Sequence, residues 1–279
     1  MELFDAHNHL QDPALAETWR AIAEQMQAVG IRGAAVNGTG EDDWAAVMDL
    51  ATRHPGIRPQ VGLHPWHVGN RSSQWKESLN EFLGRGAGVG EIGLDRWMLE
   101  RALPDDSRLA GLRRAPMEEQ VTIFREQLAL AAVLDRPASI HCLEAWNDLI
   151  PILKHDRLPP RGFLLHAFGG PEEQIAWLAA RGAYFSFNGN FLSAPQSRRC
   201  LAFRRVPKER LLIETDAPAM PMPPEYQRYP LPTPAGAKAL NHPANLIATY
   251  EALALILEVQ APELAFQTAE NFTRLFGTP

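Results

Sequence analysis

The stretch "LFDAHNHL", residues 3–10, sets two histidines two residues apart directly after a short apolar run. Side chains alternate between the faces of a strand, so His7 and His9 point the same way, together with Leu3 and Asp5. Two imidazoles on one face at a strand end can share one ion. They are equally ordinary polar residues leaving a strand, and the pair alone does not decide. Further along, "VGLHP" carries His64 and "GVGEIGLD" carries Glu91 and Asp95. "IHC", "LLHAFGG" and "LLIETDAP" carry His141, His166 and Asp216. Alternation puts Val89, Glu91 and Gly93 on one face, and Leu212, Glu214 and Asp216 on another. Six nitrogen and oxygen donors from five strands at one level are hard to dismiss: His7, His9, Glu91, His141, His166 and Asp216. Charged groups are seldom buried unless paired or bound to metal. Imidazole plus carboxylate suits Zn²⁺, Mn²⁺ or Fe²⁺. Six ligands exceed what one four-coordinate zinc uses. Two ions sharing a carboxylate would use them all, and two-metal sites serve hydrolysis.

These donors need strands to carry them, and the sequence supplies eight candidates. They are Leu3–His7, Gly33–Asn37, Arg58–Leu63, Gly88–Ile92, Ala138–His141, Gly162–His166, Ala183–Phe187 and Leu211–Asp216. Helical patterns separate most of them. Ala14–Val29 has apolar residues at helical spacing, "GGPEEQIAWLAARG" reads as a helix stopped by Gly182, and "APELAFQTAENFTRLF" as a closing helix. Strand–helix alternation predicts an α/β fold with a parallel sheet, and eight repeats predict closure into a (β/α)8 TIM barrel, one domain over 1–279. An open doubly wound sheet is the alternative, weakened by the lack of a G-x-G-x-x-G after any strand. Residues 96–116 and the proline-dense 217–243 follow strands four and eight, on the face where barrel enzymes work. Each reads as a substrate-lining loop or as a tolerated surface insertion.

The chain has 279 residues and a net charge of −6, which argues against a broad duplex-DNA footprint. Two cysteines, Cys142 and Cys200, are too few for a disulfide framework. Strand direction turns Cys142 toward the helices, away from His141. No secretory signal opens the chain and no apolar run reaches the ~18 residues of a membrane span. The expectation is a soluble, cytoplasmic protein with no obligate protein partner.

With "DAHNHL", "VGLHP", "GEIGLD", "IHC", "LLHAFGG", "ETDAP", "NHP" and "ENFTRLF" in order along almost the whole chain, the sequence resembles the TatD family of metal-dependent hydrolases, within the amidohydrolase-like barrels. The resemblance implies that His7, His9 and Asp216 hold one divalent metal ion and His141 and His166 a second, with Glu91 bridging. The ions would be zinc, manganese or magnesium. His64 would contact substrate or support the site. The family includes 3′–5′ deoxyribonucleases, which implies phosphodiester hydrolysis on single-stranded DNA or a small phosphodiester. Asp216 could orient a water and accept its proton, which makes Asp216 and Glu91 the catalytic candidates. Asp5, on the face of His7, is a candidate partner for an imidazole N–H.

Three departures from the family pattern bear on substrate. Leu143 stands where H-x-R would place an arginine, "HAFGG" replaces an "HCFSG"-like run, and "RWMLE" replaces paired tyrosines after "GLD". Arg96, Arg101, Arg108, Arg113 and Arg114 could restore phosphate binding, or Glu100, Asp105 and Asp106 balance them as a solvated loop. Arg96 and Trp97 are the substrate-binding candidates there. Trp66, Trp97 and Trp146 could stack bases or simply fill packing. Arg198, Arg199, Arg204, Arg205, Lys208 and Arg210 read as solvated helix surface toward the opposite end of the barrel. Amide, ester or lactone hydrolysis on the same barrel is the alternative activity, and a non-catalytic metal-binding barrel a third reading.

Overall fold

A computed structural model describes residues 1–193, 196–232 and 239–278. Its strands are β1 (Leu3–Asn8), β2 (Ile31–Asn37), β3 (Ile57–Val61), β4 (Gly88–Asp95), β5 (Ala138–Leu143), β6 (Phe163–Leu165), β7 (Ala183–Asn188) and β8 (Leu211–Glu214). They form one eight-stranded sheet in chain order, every ladder parallel. The Asp216 N–H donates to the His7 carbonyl at 2.9 Å and the His9 N–H to Ala217 at 2.8 Å, which brings the last strand back to the first. The expected (β/α)8 barrel is therefore the observed architecture.

Between and after the strands lie α1 (Trp19–Ala28), α2 (Trp44–Arg53), α3 (Trp75–Gly84), α4 (Trp97–Glu100), α5 (Met117–Leu134), α6 (Trp146–His155), α7 (Ile175–Ala180), α8 (Ser197–Ala202), α9 (Leu246–Leu257) and α10 (Ala261–Phe276). A parallel strand under such helices is buried on both faces, and every residue of β1, β4, β7 and β8 is buried. The expected helix over Ala14–Val29 is split. Asp12 accepts from Ala14 N at 2.8 Å and opens a 3-10 turn over Pro13–Thr18 before α1 starts.

Strand ends differ from the sequence reading where neighbours decide them. β4 and β5 run on to Asp95 and Leu143 because Gly93, Leu94 and Asp95 pair with His141, Cys142 and Leu143. Gly93 permits this approach: it sits at φ +146°, and a Cβ there would lie 2.0 Å from the His141 carbonyl oxygen. β6 and β8 stop at Leu165 and Glu214, so His166 and Asp216 stand just beyond their strands. Two buried glutamines of α5 lock the strand exits. Gln127 bonds both backbone groups of Leu63 (2.7 and 3.2 Å), and Gln120 both those of Asp95 (2.9 and 3.2 Å). Each such bond contributes about 1 kcal/mol and fixes the loop beyond it.

Residues 96–116 fold back as α4 and a 3-10 turn over Ser107–Leu109, burying Met98, Ala102 and Leu109 against Trp66 and Trp97. The 217–243 segment is tied to the barrel by a Pro230–Asn241 bridge and by Asn241 Nδ2 on the Thr215 carbonyl at 2.8 Å. Its residues 233–238 lie outside the described residues. No helix among the described residues is long and apolar enough to cross a membrane.

Candidate metal centre

β1, β4, β5, β6 and β8 deliver their donors to one point. Glu91 lies at its middle, 3% exposed. Its Oε2 faces His7 Nε2 and His9 Nε2, each at 3.3 Å. Asp216 Oδ1 completes that side, 3.3 Å from His9 Nε2 and 3.7 Å from His7 Nε2. Oε1 faces His166 Nε2 at 2.8 Å, His141 Nδ1 at 3.0 Å and His64 Nε2 at 3.5 Å. One carboxylate thus touches both halves of the expected set, and the structure brings all six expected donors and His64 together.

Each imidazole is oriented from behind. His7 Nδ1 meets Ser139 Oγ at 2.8 Å. His9 Nδ1 lies 2.7 Å from the Asn37 carbonyl, which accepts, so Nδ1 carries the hydrogen. His166 Nδ1 faces Glu214 Oε1 at 3.6 Å, and Glu214 is itself held by Ser186 Oγ and, at 3.1 Å, by Asn188 Nδ2. His141 Nε2 faces Asp95 Oδ2 at 3.4 Å, and the Trp66 indole N–H donates to that same oxygen at 2.6 Å.

The titration behaviour follows from this crowding. Burial works to raise the Glu91 carboxyl, but His166, His64, His7 and His141 hold it well below the ordinary carboxylate range. Burial likewise opposes a low value at Asp216, and His9 more than offsets it. Against burial, Asp95 and Glu91 lift His141 to about 9, and carboxylates raise His9 and His166 well above the usual imidazole value. Burial dominates at His64, lowered to about 3, and at His7, also lowered.

The donor set fits a divalent ion. His7 Nε2 and Asp216 Oδ1 are buried without a hydrogen-bond partner among the described residues, a state that normally costs about 1–3 kcal/mol per group. Three overlapping groups, His7–His9–Glu91, His7–His166–Asp216 and His64–Glu91–His141, each bring their ligand atoms within 4.8 Å of one another. Hard oxygen and borderline nitrogen donors suit zinc or manganese.

Two expectations, for Asp5 and for Arg199, need correction. Asp5 does not meet an imidazole. It accepts from Thr215 N (3.0 Å), Thr215 Oγ1 (2.5 Å) and, at 3.3 Å, the backbone N–H of His7, and so ties β1 to the end of β8. Burial lifts its carboxyl to about 7 against these hydrogen bonds. Neither Arg96 nor Trp97 joins the donor cluster. Arg96 is held by Asp148 at 2.6 Å and Glu100 at 2.8 Å. Trp97 packs 6.1 Å from Trp66 and lies beneath the Arg108 guanidinium at 4.2 Å. Arg199 is not at the opposite end of the barrel. It rests against Gly169, in the loop beyond β6, and over Phe191, beyond β7. Cys142 is half-buried, and burial pushes its thiol up, so it is no ready nucleophile.

Sequence reasoning left Glu214, Ser139 and the Trp66–Asp95 bond without roles. The signal for Glu214 was present, since it shares a strand face with Asp216. Ser139 shares a face with His141 in the same way.

The family model described as TatD related DNase matches residues 4–277. A protein of Escherichia fergusonii named 3′-5′ ssDNA/RNA exonuclease TatD is 30% identical over 290 residues, with 99% of each chain covered. The Bacillus subtilis protein named uncharacterized metal-dependent hydrolase YabD is 27% identical over 280 residues, with 98% of each covered. The crystal structure of YJJV, a TatD homologue from Escherichia coli K12, superposes with a TM-score of 0.82 at 26% identity, covering 99% of this chain and 98% of that one. The chain belongs to the TatD related DNase family.

Proposed function

We propose that this chain hydrolyses phosphodiester bonds in single-stranded nucleic acid from the 3′ end, with two divalent ions, as one barrel domain over 1–279 acting in the cytoplasm. The observation that carries the reading is the position of Glu91, one oxygen toward His7 and His9, which Asp216 also faces, and the other toward His64, His141 and His166. His7, His9 and Asp216 would hold one ion, His141 and His166 the other, and Glu91 would serve both. Bound there, the ions supply Lewis-acid stabilisation of charge building on phosphoryl oxygens and make water a better nucleophile. Asp216, buried at the edge of the cluster, would orient a water and accept its proton. His64, held neutral by burial, contacts substrate as a neutral hydrogen-bonding group. The names of the TatD relatives support the substrate class.

The test combines metal content with turnover. Elemental analysis should find two ions per chain, and the loaded protein should shorten a 3′-exposed single-stranded oligonucleotide stepwise. Chelator should stop it and Mn²⁺ or Zn²⁺ restore it. Metal-loaded protein inert on oligonucleotides and on bis-p-nitrophenyl phosphate, yet active on carboxylic esters or amides, would move the reading to carbonyl substrates.

Glu214 gives a smaller, separable expectation. It orients His166 and keeps that imidazole basic, as does Asp95 for His141. Glu214→Gln should weaken binding of the second ion about 10–100-fold and leave the first unchanged. Competition with a chromophoric chelator reads both constants, and equal loss at the two would count against the assignment.

A further inference from the structure

The arginines of the 96–116 segment are occupied. Arg96 bonds Asp148 and Glu100, Arg101 pairs with Glu144 and Arg108 with Asp106. Arg113 pairs with Glu119, and Arg114 donates to the carbonyls of Ala102 and Leu103. Arg199 differs. Its guanidinium donates to Gln196 Oε1 at 3.0 Å and lies over the Phe191 ring at 5.5 Å, and among the described residues no carboxylate pairs with it. It is seated on Gly169, three residues beyond His166, where a Cβ would stand 2.9 Å from Cζ and 3.0 Å from Nη1 of the arginine. Gln196 in turn donates to Asn190 Oδ1 at 2.7 Å, and Asn190 Nδ2 to the Pro221 carbonyl at 2.8 Å. Loops beyond β6, β7 and β8 therefore all position this cation, on the face where the donor cluster opens.

We infer that Arg199, seated on Gly169, grips a backbone phosphate of the nucleic-acid strand whose end enters the donor cluster. The inference rests on the function proposed above. A guanidinium presents a planar fork of N–H donors that matches two phosphate oxygens, and its contacts with Phe191 and Gln196 limit the freedom it must give up on binding. Leu143, on the neighbouring β5, has no donor to offer. Gly169 is part of the site, because any side chain there enters the space of the guanidinium.

Binding without turnover tests this. The full chain in EDTA is titrated against a fluorescein-labelled single-stranded oligodeoxynucleotide, and anisotropy is read across a salt series. Arg199→Ala should weaken binding about tenfold and lower the salt slope by about 0.7, one phosphate contact on a single strand. Arg199→Lys should keep the slope and lose part of the affinity. Gly169→Ser should weaken binding in the same direction by displacing the guanidinium. Arg204→Ala, at a residue paired with Glu258, should change neither quantity. Oligonucleotide binding by wild type that is matched by Arg199→Ala, with the same slope, overturns the assignment and leaves the substrate reading intact. No binding by wild type at any salt overturns the assignment, while turnover of the metal-loaded protein on the same oligonucleotide decides the substrate reading separately.

Discussion

Glu91→Gln is expected to lower turnover at least about 10³-fold while the barrel stays folded. The glutamine keeps the shape of the side chain and removes its charge. Both oxygens of Glu91 are in use, Oε2 toward His7 and His9 and Oε1 toward His166, His141 and His64. An amide must turn its NH₂ toward one of these two groups, and an NH₂ has no lone pair to give an ion. In the proposed two-ion centre, one ion would then lose Glu91 as a ligand and the other would keep only a neutral oxygen. Elemental analysis should fall from two ions per chain to one or none. Glu91 takes no part in the apolar core, and the imidazoles it holds charged can release their protons when it is neutralised. The melting midpoint in chelator should therefore stay within about 5 °C of wild type. A folded Glu91→Gln protein with two ions and wild-type turnover would remove the bridging role.

The centre has an asymmetry that makes such ion counts informative. On one side, a carboxylate stands among the donors themselves, Asp216, while the imidazoles of His7 and His9 are backed by neutral groups, Ser139 and the Asn37 carbonyl. On the other, Glu91 Oε1 faces the imidazoles of His141 and His166, which are backed by Asp95 and Glu214. Negative charge is thus supplied within the donor set on one side and behind it on the other. Either arrangement strengthens a neutral imidazole's hold on a cation. Losing Asp216 removes a donor, whereas losing Glu214 only weakens one.

The convergence of the six side chains is legible in the sequence because its signal is local. His7 and His9 share a face by alternation, and a carboxylate such as Glu91 in an apolar run is conspicuous wherever the fold puts it. The barrel was legible for the same reason, as eight short apolar runs between helical patterns. What failed depended on neighbours. Alternation told that Asp5 and His7 share a face but not that Thr215 would occupy Asp5 from across the β1–β8 seam. The role of Asp95 needed the β4–β5 register, which shifts between Val89 and Ile92. Position along the sequence is a poor guide to the height of Arg199 on the barrel, because α8 is only six residues long and a 3-10 turn follows it. For the arginines of the 96–116 segment the sequence leaves two readings open, phosphate binding and charge balance within the loop. Geometry supplied the partners, with Glu100 and Asp106 serving and Glu119, Glu144 and Asp148 joining from outside.

Asp216→Asn should leave a folded protein whose kcat falls about 10³-fold, with KM changed by no more than a few-fold. The backbone decides which substitution is informative. Asp216 has φ +56°, in the left-handed region, and its N–H closes the barrel on the His7 carbonyl at 2.9 Å. Asparagine visits that region readily, whereas alanine pays roughly 1–2 kcal/mol for it. Asp216→Ala would therefore mix a backbone cost with the chemical one, and its melting midpoint should fall further than that of Asp216→Asn. The asparagine oxygen can still face His9 and His7, but it can neither take up a proton nor offset the charge of an ion. Because Glu91, His141 and His166 are untouched, Asp216→Asn should keep the ion on their side and lose or weaken the other. That outcome separates it from Glu91→Gln, which disturbs both sides. Wild-type turnover with two ions in Asp216→Asn would show that the proton is accepted elsewhere and that His7, His9 and Glu91 suffice to hold their ion.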